Sequence, residues 1–165
     1  MLRDKNLIPL SHQHQRGLAL CVRIDRAQPI PDADLQSWQK EIEWLFENEI
    51  DAHFTIEEDV LFPVARRLSE VLNLLVDDLI AEHVLLRELF FQAKTRRMSA
   101  IEVRDFGQKL SAHIRKEERL LFEDMQRLMN PQELSTLGVR LESALKGATQ
   151  SCFLPNEATK LKAQR

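Results

Sequence analysis

His53-Phe-Thr-Ile-Glu57-Glu58-Asp-Val-Leu-Phe62 and His113-Ile-Arg-Lys-Glu117-Glu118-Arg-Leu-Leu-Phe122 are two copies of one pattern, His-x-x-x-Glu-Glu-x-x-Leu-Phe, that begin 60 positions apart. A histidine and a glutamate four residues apart on a helix lie on the same face, one turn from each other. One helix can therefore offer an imidazole nitrogen and a carboxylate oxygen to the same metal ion. Two such helices facing each other could hold two ions.

The composition favours an all-α protein with one domain. A chain of 165 residues can bury a substantial core, and hydrophobic residues make up 44% of it. Glycine is scarce, with only 4 residues, whereas the helix-forming residues Leu, Glu, Arg, Lys, Ala and Gln are abundant. We expect one metal-binding helical domain over residues 1–150 and an irregular C-terminal tail over residues 151–165.

Apolar spacing and capping signals predict two long helices in the first half of the chain. The first begins near Pro9, with Ser11 as a candidate N-cap, and ends before residue 29. The second is capped by Asp32 or Asp34, and Pro63 is expected to kink or end it soon after the His53 and Glu57 pair.

The second half of the chain repeats this arrangement and adds a short helix. The third helix begins at Ser69 or Asn73, and the segment 99–102 has the form of a capping box that starts the fourth. A shorter fifth helix is predicted from Pro131 to about Lys146. Four long helices with short links pack most simply as an up-down-up-down four-helix bundle, here followed by the short fifth C-terminal helix.

The histidines fall at one level of this predicted bundle. His53, His83 and His113 follow one another at intervals of 30 residues. In an antiparallel bundle with helices of similar length, a constant interval returns the chain to the same height. His12 and His14 cannot both face inward, because two residues correspond to about 200° around a helix. His14 shares its face with apolar residues and is the inward candidate, and His12 is expected near the helix start in water.

Helical geometry also selects one glutamate from each copy of the repeat. Glu57 follows His53 by four residues and Glu117 follows His113 by four, so both point inward, whereas Glu58 and Glu118 point away. Two buried carboxylates without compensation would be very unfavourable, and two divalent cations would supply that compensation. The predicted metal ligands are His14, His53, Glu57, His83, His113 and Glu117. Imidazole with carboxylate suits iron, and also manganese or zinc.

The remaining features exclude several function classes. A net charge of -3 does not indicate binding to nucleic acid or to a membrane surface. The N-terminus has no long apolar stretch typical of a secretory signal, no segment is apolar enough to span a membrane, and the two cysteines form no metal or disulfide motif. The cytoplasm is the expected compartment, and the oligomeric state is left open.

The ligand pattern resembles the hemerythrin-like family, also called the HHE cation-binding domain. The resemblance rests on Leu10-Ser-His-Gln-His14, on residues 53–63, on Glu82-His83-Val-Leu-Leu-Arg87 and on residues 113–118. It implies a four-helix bundle around two non-haem iron ions bridged by an oxo or hydroxo group. It also implies that the protein binds or senses O2, nitric oxide or iron, or helps repair damaged iron centres. Because four histidines and two glutamates do not fill the coordination of two ions, we expect open metal positions for a small ligand (O2, nitric oxide or peroxide), with an electron-donor protein as a candidate partner.

The chain departs from the oxygen-carrying members of that family at two positions. Arg87 stands where those members have a second histidine on the third helix, and Glu117 follows His113 by four residues where they have an aspartate at five. The resulting set of four histidines and two glutamates is similar to that of bacterial proteins that repair iron centres. These departures favour a sensing or reactive centre over simple oxygen storage.

Three functions are compatible with the sequence. The first is a binding protein that senses or holds O2 or nitric oxide. The second is a di-iron redox enzyme or iron donor that acts in nitric oxide or peroxide detoxification or in iron-sulfur centre repair. The third is a structural helical protein whose histidines are ordinary core residues.

Two further residues lie near the predicted centre. Cys21 follows His14 by two turns and is expected to be a small core residue, with a redox role as the alternative. Arg87 lies one turn after His83 and is expected either to point toward the centre or to pair with a carboxylate. Glu58, Glu82 and Glu118 are expected on a solvated face, with hydrogen bonding to the ligand histidines as the alternative.

Overall fold

The computed structural model describes residues 2–152, which form five helices and contain no strand. The prediction of an all-α protein is confirmed. The helices are α1 (Ile8–Arg26), α2 (residues 32–65), α3 (Glu70–Lys94), α4 (residues 100–128) and α5 (Pro131–Cys152). None of them is long and apolar enough to cross a membrane.

Helices α2 and α4 contain π-helical turns. In α2, the α-helical segments Asp32–Leu45, Asp51–Ile56 and Phe62–Ala65 are joined by the π-helical turns Phe46–Ile50 and Glu57–Leu61. In α4, the π-helical turn Glu117–Leu121 joins Ala100–Lys116 to Phe122–Leu128. The second turn of α2 and the turn of α4 begin at the two glutamates that the repeat predicts to face inward.

The helix starts in the second half of the chain are confirmed. The Ser69 hydroxyl accepts a hydrogen bond from the backbone N–H of Leu72 at the start of α3. At the start of α4, Ser99 and Glu102 form the predicted capping box. Both caps satisfy backbone donors that the first turn of a helix leaves without intrahelical partners.

The predicted caps of α1 and α2 are wrong. Ser11 lies inside α1, where its N–H donates to the carbonyl of Leu7, because a preceding turn and Pro9 start the helix earlier than expected. Asp32 and Asp34 lie inside the first turn of α2, and Pro31 occupies the N-cap position without a side-chain cap. Their negative charges still interact favourably with the N-terminal end of the helix dipole.

The core consists of two apolar clusters separated along the helices. The α5 cluster contains the N-terminal part of α1, the C-terminal parts of α2 and α4 and three leucines of α5, whereas the distal cluster contains the opposite ends of the same long helices. Along α1, for example, Leu10 belongs to the α5 cluster and Leu20 to the distal cluster, with His14 between them. The predicted ligands therefore lie at the level where the two clusters meet.

Helix α5 extends further than predicted. It has 22 residues and continues to Cys152, so the prediction of a short helix ending near Lys146 is wrong. Gly147 does not stop it, because a glycine within a helix costs about 1 kcal/mol relative to alanine but does not forbid the helical conformation. The buried residues Leu134, Leu137 and Leu141 attach α5 to the α5 cluster. Residues 153–165 of the predicted tail lie outside the described part of the chain.

Two glycines of α5 allow a matched stability test. A Cβ at Gly138 would lie 2.7 Å from the Asn6 Cβ, whereas a Cβ at Gly147 would meet nothing within 4 Å. We expect G138A to lower the free energy of unfolding by about 1–3 kcal/mol through overpacking, and G147A to raise it by up to about 1 kcal/mol through helix propensity. Chemical denaturation of both variants measures this, and equal effects would contradict the described contact of α5 with the N-terminal segment.

Candidate metal centre

All six predicted ligand residues meet in the interior of the bundle. Each of them is no more than 2% exposed. The structure brings together His14 of α1, His53 and Glu57 of α2, His83 of α3, and His113 and Glu117 of α4. His12, in contrast, is exposed as predicted.

The side chains form two groups that share both glutamates. The group at helices α1 and α2, called here the α1–α2 position, contains His14, His53, Glu57 and Glu117. The His14 Nε2 lies 2.9 Å from the His53 Nε2 and 3.1 Å from Glu117 Oε2. Glu57 Oε1 lies 3.1 Å from the His53 Nε2 and 3.7 Å from the His14 Nε2.

The second group, the α3–α4 position, contains His83 and His113 with the same two glutamates. The Nε2 atoms of the two histidines are 3.1 Å apart. Glu57 Oε2 lies 3.5 Å from the His83 Nε2, and Glu117 Oε1 lies 3.4 Å from the His113 Nε2. Each glutamate thus directs one oxygen to each position, which is the arrangement of a carboxylate that bridges two ions.

These separations fit a common ion at each position. Two ligand atoms that are each about 2.1 Å from an ion, at right angles to each other, lie about 3 Å apart. Within each position, the ligand atoms all lie within 4.8 Å of one another. Hydrogen bonding does not account for the convergence, because all four oxygens of Glu57 and Glu117 are buried without a hydrogen-bond partner. Buried carboxylates in this condition need a cation.

The outer nitrogens of the histidines explain why the inner ones can bind metal. Every Nδ1 has an oxygen partner within 2.8 Å, so each Nδ1–H can donate outward and leave a lone pair on the inward Nε2. The four pairs are His14 with Glu118, His53 with Gln13, His83 with Glu58, and His113 with Glu82. The expectation that Glu58, Glu82 and Glu118 lie on a solvated face is therefore wrong, and the alternative of hydrogen bonding to the ligand histidines is what the structure shows.

A cation accompanies each of these outer carboxylates. Arg3 donates to Glu118 at 2.7 Å and Arg87 donates to Glu58 at 2.7 Å, and Lys116 donates to Glu82. Arg87 therefore pairs with a carboxylate, which was one of its two predicted roles. These cations fix the carboxylates in place and limit the net negative charge around the centre.

The π-helical turns explain how Glu58 and Glu118 reach their histidines. In a regular α-helix, a residue five positions after His53 or His113 points away from the centre. The widened turns begin at Glu57 and Glu117 and change the direction of the residue that follows. Each second glutamate of the repeat then contacts a histidine on a neighbouring helix, at 2.7 Å in both cases. π-helical turns of this kind are frequent at functional sites.

Aromatic rings hold the imidazoles from the apolar side. The Phe54 ring stacks on His83 with a centroid distance of 3.8 Å. Phe62 stacks on His83 and Phe122 stacks on His14, both at 5.5 Å. Phe62 and Phe122 close the two copies of the sequence repeat, so the Leu-Phe ending of the pattern also serves the centre.

The electrostatics of the metal-free chain follow from this geometry. Burial lowers the pKa of His14, but its contacts with Glu117, Glu118 and Glu57 outweigh burial and raise the pKa well above its usual value. Burial raises the pKa of Glu57, but the neighbouring His53 and His14 lower it well below the usual range. The Glu118 carboxyl, despite partial burial, has its pKa lowered to about 2 by His14, Ser11 and Arg3. The centre thus stabilises carboxylates and attracts positive charge.

Sequence reasoning missed the contributions of Gln13, Phe54 and Arg3. Gln13 immediately precedes His14, just as Glu82 immediately precedes His83. This shared position could have indicated that Gln13 also contacts a ligand histidine. Phe54 falls beside the ligand histidine of the first repeat copy. Arg3 is distant in sequence from the centre, and no local pattern indicates its contact with Glu118.

Cys21 is a core residue, as expected. Its side chain is 5% exposed within the distal cluster, and burial raises the pKa of its thiol to about 12. A thiol with so high a pKa is a poor nucleophile at neutral pH, because the thiolate is the reactive form.

Comparison with known proteins supports a cation-binding role. The family model described as the hemerythrin HHE cation binding domain matches residues 9–125. This range runs from α1 into the last segment of α4 and includes all six converging residues. No curated protein and no solved structure matches the chain significantly.

Adding a divalent cation such as Co2+ should stabilise the metal-free protein. A ligand at about 100 times its dissociation constant contributes about 2.7 kcal/mol, which corresponds to a rise in Tm of about 5–10 °C for a domain of this size. Calorimetry of the protein with and without cation measures the shift. The variant E117Q should lose most of it and H12A should keep it, and an equal shift in both variants would argue against binding at this centre.

The rise in Tm caused by the cation should be larger at pH 8 than at pH 6. Because the folded-state pKa of His14 is raised, its protonation stabilises the metal-free fold fully below the unfolded histidine pKa of about 6.5. That stability is lost as the pH rises through the raised value. A bound cation must displace the proton of His14. Because removing this proton costs less free energy at pH 8 than at pH 6, cation binding stabilises the fold more at pH 8. A shift that is larger at pH 6 would contradict this competition.

The Cys21 thiol should react slowly while the protein is folded. In the variant C152S, in which Cys21 is the remaining cysteine, we expect labelling with a disulfide reagent at pH 8 to be more than about ten-fold slower than in denaturant. Absorbance of the released thiol measures both rates. Equal rates would show that Cys21 is not held in the core.

Proposed function

Because the chain belongs to the hemerythrin HHE cation-binding domain family, we propose that it holds two iron ions in the centre described above and binds a small ligand, O2 or nitric oxide, at open metal positions. The observation that carries this proposal is the convergence of four buried carboxylate oxygens, none with a hydrogen-bond partner, on four imidazole nitrogens. Two ions would bind these converging atoms and balance the buried negative charge. The sharing of both glutamates between the two positions favours a pair of ions over a single ion.

The donor set fits iron. Imidazole and carboxylate ligands suit iron, and manganese or zinc are expected substitutes. In the proposed arrangement, His14 and His53 would hold one ion and His83 and His113 the other, and both ions would share Glu57 and Glu117. Four protein ligands leave room for small exogenous ligands. When bound, an iron pair supplies one-electron redox chemistry and positions for a diatomic molecule.

The protein residues position and shield that pair. Glu57 and Glu117 belong to both positions and would neutralise part of the charge of the pair. The outer oxygens hold each imidazole with Nε2 inward. Phe54 and the two apolar clusters exclude water from the surroundings of the ligands. A dry, apolar setting favours binding of an uncharged diatomic molecule.

The proposal includes an up-down-up-down arrangement of the four long helices. It is supported by the order in which the chain passes through the core. Helices α1 and α3 run from the α5 cluster toward the distal cluster, and α2 and α4 run from the distal cluster back. A chain that alternates in this way places one histidine from each helix at a shared level.

The binding proposal is tested by iron loading and optical spectroscopy. After anaerobic loading, we expect two iron ions per chain, a near-ultraviolet charge-transfer band on exposure to air, and a distinct spectrum when the ferrous protein meets nitric oxide. The matched variants are H14A, which removes a ligand, and H12A, which removes an exposed histidine two residues away. H14A should lose at least one iron ion, and H12A should keep both.

Two results would contradict the proposal. One is fewer than two iron ions bound per chain after loading, and the other is a ferrous protein whose spectrum changes with neither gas. Repeated turnover of nitric oxide or peroxide with an electron donor would instead favour the alternative of a redox enzyme. Transfer of iron to an acceptor without turnover would favour the iron donor.

A further inference from the structure

The residues around the centre are related by an approximate internal two-fold repeat. His14 corresponds to His83, and the repeat copy at 53–62 corresponds to the copy at 113–122. The correspondence includes the outer contacts, because Glu58 binds the His83 Nδ1 and Glu118 binds the His14 Nδ1, both at 2.7 Å.

One pair of outer contacts departs from this repeat. The residue before His83 is Glu82, whose carboxylate accepts from the His113 Nδ1 at 2.8 Å. The residue before His14 is Gln13, whose neutral amide oxygen accepts from the His53 Nδ1 at 2.7 Å. The α3–α4 position therefore has two anionic outer acceptors, and the α1–α2 position has one.

The two halves also differ at the residue immediately before each inner glutamate. Lys116 of the second repeat copy donates to Glu82. The residue at the same place in the first copy is Ile56, which is 6% exposed within the α5 cluster. One half of the repeat thus has the carboxylate of Glu82 with the cation of Lys116. The other half has the amide of Gln13 and the apolar side chain of Ile56.

An outer carboxylate strengthens a histidine ligand more than an amide does. The charged acceptor draws the Nδ1 proton more strongly, which increases the electron density that the Nε2 donates to the metal. Changing such outer partners typically alters metal affinity by about 10- to 100-fold. Lys116 donates to Oε1 of Glu82, whereas the His113 Nδ1 contacts the other oxygen, Oε2.

From this asymmetry we infer that the two cation positions are unequal, and that Gln13 makes the α1–α2 position the weaker one. The inference rests on the proposed dimetal centre. The ion between His14 and His53 is then the last to load and the first to leave, which gives the centre one retained ion and one exchangeable ion. Gln13 is a positioning residue in this account, since it acts on the metal through His53.

The test is a Co2+ titration of the full chain in competition with a chromophoric chelator. We expect two ions per chain, with the second bound about ten-fold or more weakly. Two neighbouring cations also repel each other, so unequal steps alone do not identify the cause. The variant Q13E supplies the missing carboxylate and should tighten the weaker step about ten-fold while leaving the tighter step nearly unchanged.

Two further variants complete the design. E82Q places the neutral amide in the other half and should weaken the tighter step about ten-fold. Q15E adds the same negative charge as Q13E at an exposed position of α1, two residues further on, and should change neither step by more than about two-fold, because exposed charges are strongly screened. The cobalt ligand-field spectrum of the second ion should shift in Q13E and not in Q15E.

The outcomes separate this inference from the function on which it rests. Two bound ions whose affinities are unchanged in both Q13E and E82Q would overturn the inference and leave the dimetal centre intact. Equal tightening by Q13E and Q15E would also overturn it, since general charge would then be the cause. Binding of fewer than two Co2+ ions by the wild-type chain would overturn both the dimetal centre and the inference.

Discussion

The structure depends on the burial of two carboxylates, Glu57 and Glu117, among apolar helices. Neither makes a hydrogen bond within the described chain, and both are 0% exposed. Taking a carboxylate out of water without a partner costs several kcal/mol, a large fraction of the stability of a typical domain. A sequence that twice places a glutamate at this level therefore implies a compensating positive charge, and in the metal-free chain the protonation of His14 supplies part of it. We propose that a pair of cations meets this constraint.

The protein meets the constraint with successive layers. The inner layer consists of four Nε2 atoms and two shared carboxylates, and the next layer consists of Gln13 and three glutamates that fix the imidazoles. Arg3, Arg87 and Lys116 form the outermost layer, with side chains between 19% and 32% exposed. The π-helical turns connect the layers, because they let consecutive glutamates serve different layers. The second layer differs between the two halves, with the amide of Gln13 on His53 and the carboxylate of Glu82 on His113.

The sequence was sufficient for the features that follow from helical periodicity. The apolar spacing predicted the four long helices, and the offset of four residues selected Glu57 and Glu117 over the glutamates beside them. The same rule failed for Glu58 and Glu118, because it assumes regular α-helix where the chain forms π-helical turns. Gln13 and Arg3 could not be assigned, since their contacts depend on how separate helices pack. The length of α5 was underestimated because Gly147 was expected to end it, although one glycine within a helix costs only about 1 kcal/mol.

The most direct test of a paired cation centre is the position of the metal itself. Anomalous diffraction from crystals of the iron-loaded protein, measured on both sides of the iron absorption edge, locates each ion independently of any spectroscopic assignment. A paired centre should give two peaks in the interior, one beside the Nε2 atoms of His14 and His53 and the other beside those of His83 and His113, with Glu57 and Glu117 between them. A single interior peak, or iron bound only at the surface, would contradict it.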